Sequence, residues 1–167
     1  MHNVTEYGYD KNLRQIYITD GEGHTTRQSY DNRGNIATKK DGRNNITNYR
    51  YDAENRLQSV INSLGETTSY TYDNNGNMLT QTDGNGNVTM FSYNSMNKLT
   101  RRIDPNGLNV EGRTESYSYQ ADGLIQNKVD RNGNTTTYTY DIFGRLTCEN
   151  AAGEQKQYAN GDASLLH

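Results

Sequence analysis

Hydrophobic and polar residues alternate over short stretches of this chain, and each stretch ends in a cluster of Asp, Asn and Gly. Thr68, Tyr70 and Tyr72 occupy every second position of one stretch, and residues at this spacing point to one face of a β-strand. The next stretch, residues 78–82, begins with an aliphatic side chain, and the polar cluster at residues 73–77 separates the two. Such clusters are typical of turns. The pattern therefore predicts short strands joined by tight turns, with almost no helix.

A Tyr residue, usually followed by Asp, marks a fixed period of 21 residues along the chain. The period lengthens to 26 residues once, because five extra residues fall between Gly107 and Tyr119, where we expect a longer hairpin loop. A fixed period of this length is typical of repeat proteins. We predict seven repeats over residues 1–158, followed by an irregular tail at 159–167. The repeat tyrosines are Tyr9, Tyr30, Tyr51, Tyr72, Tyr93, Tyr119 and Tyr140.

Each repeat contains two turns, and Gly or Asn recurs three residues after the residue that opens each turn. In the first turn this position holds Gly34, Asn55, Gly76, Asn97, Gly123 and Gly144. In the second turn it holds Gly23, Asn44, Gly65, Gly86, Gly107, Gly133 and Gly153. We interpret Asn as the only replacement for Gly, because both residues tolerate the left-handed conformation that closes a hairpin loop. The position is therefore predicted to be conformational.

Together these patterns predict an all-β repeat protein, an antiparallel meander of about 14 strands. Because sheets twist, a meander of this width is expected to form a curved or spiralling sheet. Ile, Leu, Val and Phe make up only about 15% of the 167 residues, so a thick core is not expected. The 14 tyrosines supply the missing apolar surface, and we expect them to form ladders on one face of the sheet.

Charge and composition exclude several function classes. The net charge of −3 and the scattered basic residues argue against a nucleic acid partner. The sequence has no apolar run long enough to span a membrane, and the composition of residues 1–6 leads us to expect no signal peptide in this chain. The only cysteine, Cys148, cannot form a disulfide within the chain.

Candidate chemistry is sparse in this sequence. His2, His24 and His167 share no spacing, so we predict neither a metal site nor a catalytic histidine. The segment 83–94 begins like a calcium loop but has Val88 where such loops need Gly, and turn chemistry explains its Asp and Asn residues. We therefore expect no enzyme activity and no cofactor. Rows of exposed tyrosines could instead stack on sugar rings, with Tyr70 and Tyr138 as candidates.

The combined motif is Tyr-Asp-x-x-Gly-Asn/Arg-aliphatic, then Asp-x-x-Gly-Asn-x-Thr-x-Tyr-x-Tyr. It resembles the YD repeat of the Rhs family over about residues 5–158. YD repeats also occur in the C component of insecticidal toxin complexes and in teneurins, where they form a β-strip that spirals into a hollow shell. In the bacterial relatives the shell holds a toxin domain. The segment at residues 104–108 is similar to the family's self-cleavage motif, but its register indicates an ordinary turn.

The resemblance implies a structural role for this chain. It would form part of a shell wall that encloses or displays a cargo toxin domain, in a bacterial parent protein that is exported or lies at the cell surface. Its partners would be neighbouring repeats, the cargo, and further copies that pair with open sheet edges. The alternative is a carbohydrate-binding or receptor-binding repeat module on a cell surface.

Overall fold

A computed structural model describes residues 4–105, 114–151 and 153–158. These residues form fifteen strands in a single antiparallel sheet whose strand order follows the chain, which confirms the predicted all-β meander. The strands are β1 (Glu6–Tyr9), β2 (Gln15–Thr19), β3 (Thr25–Tyr30), β4 (Ile36–Lys40), β5 (Ile46–Tyr51), β6 (Leu57–Ile61), β7 (Thr67–Tyr72), β8 (Met78–Thr82), β9 (Val88–Tyr93), β10 (Leu99–Ile103), β11 (Thr114–Tyr119), β12 (Ile125–Val129), β13 (Thr135–Tyr140), β14 (Leu146–Ala151) and β15 (Glu154–Gln157).

The prediction of about 14 strands is one too few. The chain turns again after β14, and Ala151 pairs with Glu154 in the resulting hairpin. Gly153 has a φ of 88°, which places it in the left-handed region that such a tight turn requires. Every residue of β15 is polar and exposed, so the alternating pattern used to find strands is absent there.

The described chain divides into two compact units. The first contains residues 1–71 and 81–86, and the second contains residues 72–80 and 87–167. In the first unit the second turn of each repeat is tight, so that Lys40 pairs with Ile46, six residues later. In the second unit Ile103 pairs with Thr114, eleven residues later. The connection between these paired residues is thus five residues longer than in the regular second turn, and the pairing resumes at Thr114.

The hairpins that follow six of the seven repeat tyrosines contain a β-bulge. Tyr30 pairs with Ile36 while Ser29 pairs with Thr38, which leaves Ala37 without an opposite residue. A bulge bends its strand and increases the local twist. The same irregularity recurs at six hairpins, where the residues skipped are Ile16, Ala37, Gln58, Thr100, Gln126 and Thr147.

The sheet has no thick core in the part of the chain that the structure describes. Ile103 is the only hydrophobic residue there that is fully buried, with 7% of its surface exposed. Most tyrosines are half-buried on one face, where they alternate with exposed residues such as Ser118 and Thr139 on the other. This second face is polar: Asn127 donates a hydrogen bond to Ser118 and accepts one from Thr137, each 3.0 Å long.

Candidate functional site

The repeated features of this chain lie in its turns and its tyrosines. In the turn that opens with Asp73, the carboxylate Oδ1 accepts hydrogen bonds from the backbone amides of Asn75 and Asn77. The Gly76 amide also donates to the Asp73 carbonyl, 3.1 Å away. This geometry explains Asp at the first position, because its carboxylate accepts two main-chain donors that the loop leaves unpaired.

The other carboxylate oxygen of the turn binds a side chain. Asn77 Nδ2 donates to Asp73 Oδ2 over 2.8 Å, and in another repeat Arg56 Nε donates to Asp52 Oδ2 over 2.6 Å. The Asn77 side chain is the first cause of a lowered pKa at Asp73, because a hydrogen bond to the carboxylate favours its charged form. The Asn or Arg that follows the Gly position in the motif is therefore a partner of the Asp that opens the turn.

The Gly and Asn positions have the left-handed conformation that their residue types suggest. Asn55 has a φ of 63° and Asn97 a φ of 58°. The glycines of the predicted set with positive φ are Gly23, Gly34, Gly65, Gly76, Gly86, Gly123, Gly133, Gly144 and Gly153, with values from 76° to 91°. Gly107 lies outside the described residues.

The interpretation that only Asn replaces Gly is wrong for the first turn. Leu13 occupies the equivalent position with a φ of 60°. Its amide donates to the carbonyl of Asp10, and the Asp10 carboxylate is also bound by Arg14, with 2.7 Å between Arg14 Nη2 and Asp10 Oδ2. These contacts hold the backbone in a conformation that Leu by itself disfavours.

Asparagine at this position also connects neighbouring turns, a role that the sequence reasoning missed. Asn97 Oδ1 accepts hydrogen bonds from Asn77 Nδ2 at 2.8 Å and from Asn75 Nδ2 at 3.2 Å. Asn55 Oδ1 likewise accepts one from Asn35 Nδ2, over 3.0 Å. The alternation of Gly and Asn along successive turns was the available signal, since only Asn carries a side chain that can bridge turns.

Two other glycines lie where a side chain would be crowded, although their φ angles are not in the left-handed region. A Cβ atom at Gly84 would lie 2.9 Å from Glu66 Cβ, and one at Gly42 would lie 3.1 Å from His24 Cβ. Both glycines directly follow the Asp that opens a second turn, and each packs on the preceding second turn. The sequence pattern showed these glycines only as part of Asp-Gly pairs, so their close approach could not be predicted.

Several repeat tyrosines connect their repeat to the one before it. Tyr93 Oη donates a hydrogen bond to the main-chain carbonyl of Met78, 3.0 Å away. Tyr30 and Tyr51 make the same contact with Gln15 and Ile36. Each accepting residue is the first residue of a strand, and Gln15 and Ile36 each lie next to a residue that a bulge leaves without an opposite partner.

Burial raises the pKa of several of these tyrosines, including Tyr93 and Tyr140. Their hydroxyls are protonated near neutral pH, as those of ordinary tyrosines are, and the Tyr93 hydroxyl acts as a donor. Tyr72 is also half-buried, and it forms further contacts. Tyr9 differs from the others, since 55% of its surface is exposed.

The two tyrosines proposed for sugar stacking are half-buried side chains of the same ladder. Tyr70 lies in β7 and Tyr138 in β13, each two residues before a repeat tyrosine. The tyrosines with more than half of their surface exposed are Tyr7 and Tyr9 in β1. An open ring face suited to stacking is therefore more available at Tyr7 and Tyr9.

Charged side chains interrupt the repetition next to the lengthened hairpin. Asp104 contacts Arg102 Nη2 at 2.8 Å and Arg131 Nε at 2.7 Å. Glu115 lies 3.6 Å from Arg102 and 3.5 Å from Arg131. The four charges balance each other, so this cluster fastens the ends of β10 and β11 to the following turn.

The described residues contain neither a group of His, Cys, Asp and Glu that could hold a metal ion nor a helix long and apolar enough to cross a membrane. His24 is exposed and lies 3.2 Å from Asp20 in its own turn. Cys148 is half-buried in β14, and its sulfur accepts a hydrogen bond from Gln155 Nε2. His2, His167 and residues 106–108 of the segment similar to the self-cleavage motif lie outside the described residues.

Repeated hairpins that are linked by the hydroxyls of Tyr30, Tyr51, Tyr93 and Tyr119 match a known architecture. The model of the teneurin YD-shell family matches residues 1–163. This chain belongs to the teneurin YD-shell family. No curated protein matches it in sequence.

Solved structures similar to this YD-shell chain come from Tc toxins. The crystal structure of TcdB2-TccC3 has a TM-score of 0.71 and 15% identity, and covers 92% of this chain and 10% of that one. The crystal structure of TcdB2-TccC3-Cdc42 has a TM-score of 0.70 and 16% identity, and the match covers 92% of this chain and 9% of that one. The Tc holotoxin pore of Photorhabdus luminescens has a TM-score of 0.70 and 15% identity, and the match covers 93% of this chain and 9% of that one. The YD-shell chain thus spans about a tenth of these solved chains, and at such identity the likeness shows the fold alone.

Proposed function

We propose that this YD-shell chain is a segment of a β-shell wall that encloses or displays a cargo domain. The observation that carries the proposal is the hydrogen bond from a repeat tyrosine to the main chain of the previous repeat. It recurs at Tyr30, Tyr51, Tyr93 and Tyr119. A contact that repeats in this way extends a wall by any number of units, whereas a reactive centre needs a local departure from repetition. The proposal therefore assigns no catalytic role to this chain.

Family membership supports the wall, and one structural neighbour supports the kind of cargo. The neighbour from Photorhabdus luminescens is described as a Tc holotoxin pore, which is a toxin assembly. By analogy with this neighbour, we propose that the cargo is a toxin domain and that the parent protein is exported or lies at the cell surface. A wall of half-buried tyrosines on one side and hydroxyl and amide groups on the other can separate a cargo from its surroundings without binding it chemically.

The experiment is a protease protection assay on the complete open reading frame that contains this chain. If the wall encloses cargo, a domain encoded beside it resists a protease to which the same domain is sensitive when expressed alone. Gly76→Val together with Gly144→Val should open the wall and expose the cargo, while Lys39→Gln, an exposed surface change, should leave it protected. Equal digestion rates for the enclosed and the isolated domain would overturn the proposal.

We also propose that the terminal strands of the sheet pair with further strands. In the described residues, β1 and β15 each have a strand neighbour on one side only, and their free edges offer unpaired backbone groups. Their partners would be adjoining repeats or a second copy of this chain. Light scattering over a concentration series should show mass increasing with concentration, and a constant monomer mass would count against edge pairing.

A further inference from the structure

Two cations face each other on the polar side of the sheet. Arg27 in β3 and Lys40 in β4 are direct cross-strand partners. Side chains of directly opposite residues share one face with Cβ atoms about 4.5–5.5 Å apart, and like charges there are destabilising. The corresponding pairs in other hairpins contain at most one charge: Glu6 with Thr19, Asn48 with Ile61, Met90 with Ile103, Ser116 with Val129, and Thr137 with Asn150. The second repeat thus departs from the repetition at this point.

Among the residues that the structure describes, no ion pair balances the positive charge of Arg27 and Lys40. Neither Arg27 nor Lys40 forms an ion pair with another residue in the described part of the chain. The nearby Asp41 carboxylate accepts hydrogen bonds from the Arg43 amide and from the backbone and side chain of Asn45. The cluster at Asp104 differs, because there each cation has a carboxylate partner.

The two cations line a depression of about 280 Å³. Its other polar groups come from two neighbouring second turns and include His24, Thr25, Asn44 and the carboxylate of Asp41, whose oxygens accept the hydrogen bonds from Arg43 and Asn45. The acids on the His24 side, Asp20 and Glu22, lie within 3.7 Å of the imidazole and are directed at it. The depression therefore combines two cations, which form no ion pair among the described residues, with hydroxyl and amide groups and with one carboxylate whose oxygens are already hydrogen-bonded.

The Arg27 side chain is held in place from one side. Its guanidinium carbon lies 5.4 Å from the centre of the Tyr17 ring, a distance at which a cation is attracted to the ring face. Tyr17 in turn lies over Gly8, where a Cβ atom would collide with the ring. This row of contacts limits the freedom of Arg27, so less conformational entropy is lost when it binds a ligand.

We propose that Arg27 and Lys40 form a binding site for a single oxyanion group, a phosphate or sulfate carried as a free ion or as an ester on a small sugar. A tetrahedral oxyanion can accept hydrogen bonds from both cations and relieve their mutual repulsion. The hydroxyl and amide groups of Thr25 and Asn44 suit the hydroxyls of a sugar. A nucleic acid is disfavoured, since it needs a long row of cations and this chain has a net charge of −3. This inference goes beyond the wall function and does not depend on it.

The first test is a titration followed by the backbone amide signals of Thr25, Lys40 and Asp41. Inorganic phosphate, inorganic sulfate and glucose 6-phosphate should shift these signals, and glucose should not. Tighter binding of glucose 6-phosphate would identify a sugar ester, and equal affinities would identify the oxyanion alone; both results support the site. Absence of shifts at these amides with all three anionic probes would overturn it.

Variants test whether this pair of cations is responsible. Lys40→Gln and Arg27→Gln should each weaken glucose 6-phosphate binding about tenfold, which corresponds to the loss of one charge-assisted hydrogen bond. Lys39→Gln is the matched control, because Lys39 carries the same charge but points to the opposite face of the strand. If Lys39→Gln weakens binding as much as Lys40→Gln, the effect is a general loss of charge and the proposal fails.

Thermal stability provides an independent test, because the charge repulsion between Arg27 and Lys40 and the binding of an anion should change the thermal midpoint in opposite directions. Without ligand at low salt, Lys40→Gln should raise the thermal midpoint, because it removes a like-charge repulsion. Phosphate should raise the midpoint of the natural protein by linkage and have little effect on Lys40→Gln. Equal stabilisation of both proteins by phosphate would show that the ion acts elsewhere.

Discussion

Tyr119 Oη donates a hydrogen bond to the main-chain carbonyl of Leu99 over 2.6 Å, although the lengthened hairpin lies between them. In repeats of regular length the same contact joins residues 15 apart, as between Tyr93 and Met78. Five additional residues therefore leave the link between successive repeats unchanged. The tyrosine is fixed by the strand pairing that resumes at Thr114, and the loop length has no effect on its position.

Removing the hydroxyl of a repeat tyrosine should destabilise the sheet. Tyr119→Phe keeps the ring but leaves the Leu99 carbonyl without this donor, so we expect a loss of about 0.5–1.5 kcal/mol in the free energy of unfolding. Urea denaturation monitored by circular dichroism measures the change. Tyr9→Phe is the control, because Tyr9 is exposed and should lose almost nothing. Equal losses at the two positions would contradict the structural role of the hydroxyl.

Gly76 should accept Asn far better than Val. Its φ is 88°, and no atom lies within 4 Å of a Cβ placed there, so only the backbone conformation opposes a side chain. A β-branched residue in this region should cost at least about 1–2 kcal/mol, whereas Asn already occupies the equivalent positions 55 and 97. Thermal unfolding of Gly76→Val and Gly76→Asn compares them directly, and identical midpoints would refute the conformational explanation. Gly86, with a φ of 82°, provides a second site for the same comparison.

Gly8 should be sensitive to substitution for a different reason. Gly8→Ala would place a methyl group in the volume of the Tyr17 ring. We expect it to destabilise the β1–β2 hairpin, because an overpacked contact typically costs about 1–3 kcal/mol. In a Tyr17→Ala background the same change should cost much less, so a double-mutant cycle should give a large interaction energy. Hydrogen exchange of the β1 and β2 amides reports the effect locally, and strictly additive effects would argue against the contact.

Acid should weaken the turns. Hydrogen bonds from the side chains of Asn45, Asn77 and Asn134 are the first causes that lower the pKa values of Asp41, Asp73 and Asp130. A carboxyl whose pKa is lower in the folded chain than its unfolded value of about 3.9 adds stability above that value. That contribution is lost as the pH falls through the folded pKa. The thermal midpoint should therefore be steady from pH 7 to about pH 5 and fall below about pH 4.

The variant that replaces Asp41, Asp73 and Asp130 by Asn isolates this effect. It should fold at pH 7, because Asn62 already opens one turn and its Oδ1 accepts the amides of Leu64 and Glu66. Asn cannot titrate, so the midpoint of the triple variant should decrease less between pH 5 and pH 2 than that of the natural protein. An unchanged acid-induced decrease would assign the pH dependence to other groups.

Sequence reasoning recovered the strands and turns because they depend on local chemistry. Alternation of side chains decides which residues of β7 share a face, and Asp and Gly at fixed positions decide where each turn closes. It missed β15, whose exposed polar residues carry no alternation. It also left Leu13 out of the first-turn positions, although the hydrogen bonds of a turn can hold a disfavoured residue in place.

The sequence by itself therefore determined the period, the all-β meander and the turn chemistry, because each follows from interactions among residues close together in the chain. Only the tertiary structure showed that Tyr119 reaches Leu99, that Asn97 bridges two turns, and that Arg27 faces Lys40. These contacts join residues 13 to 22 positions apart, and they depend on the register between strands. A shift of one residue in that register would turn each side chain to the other face, so composition and spacing could not specify the contacts.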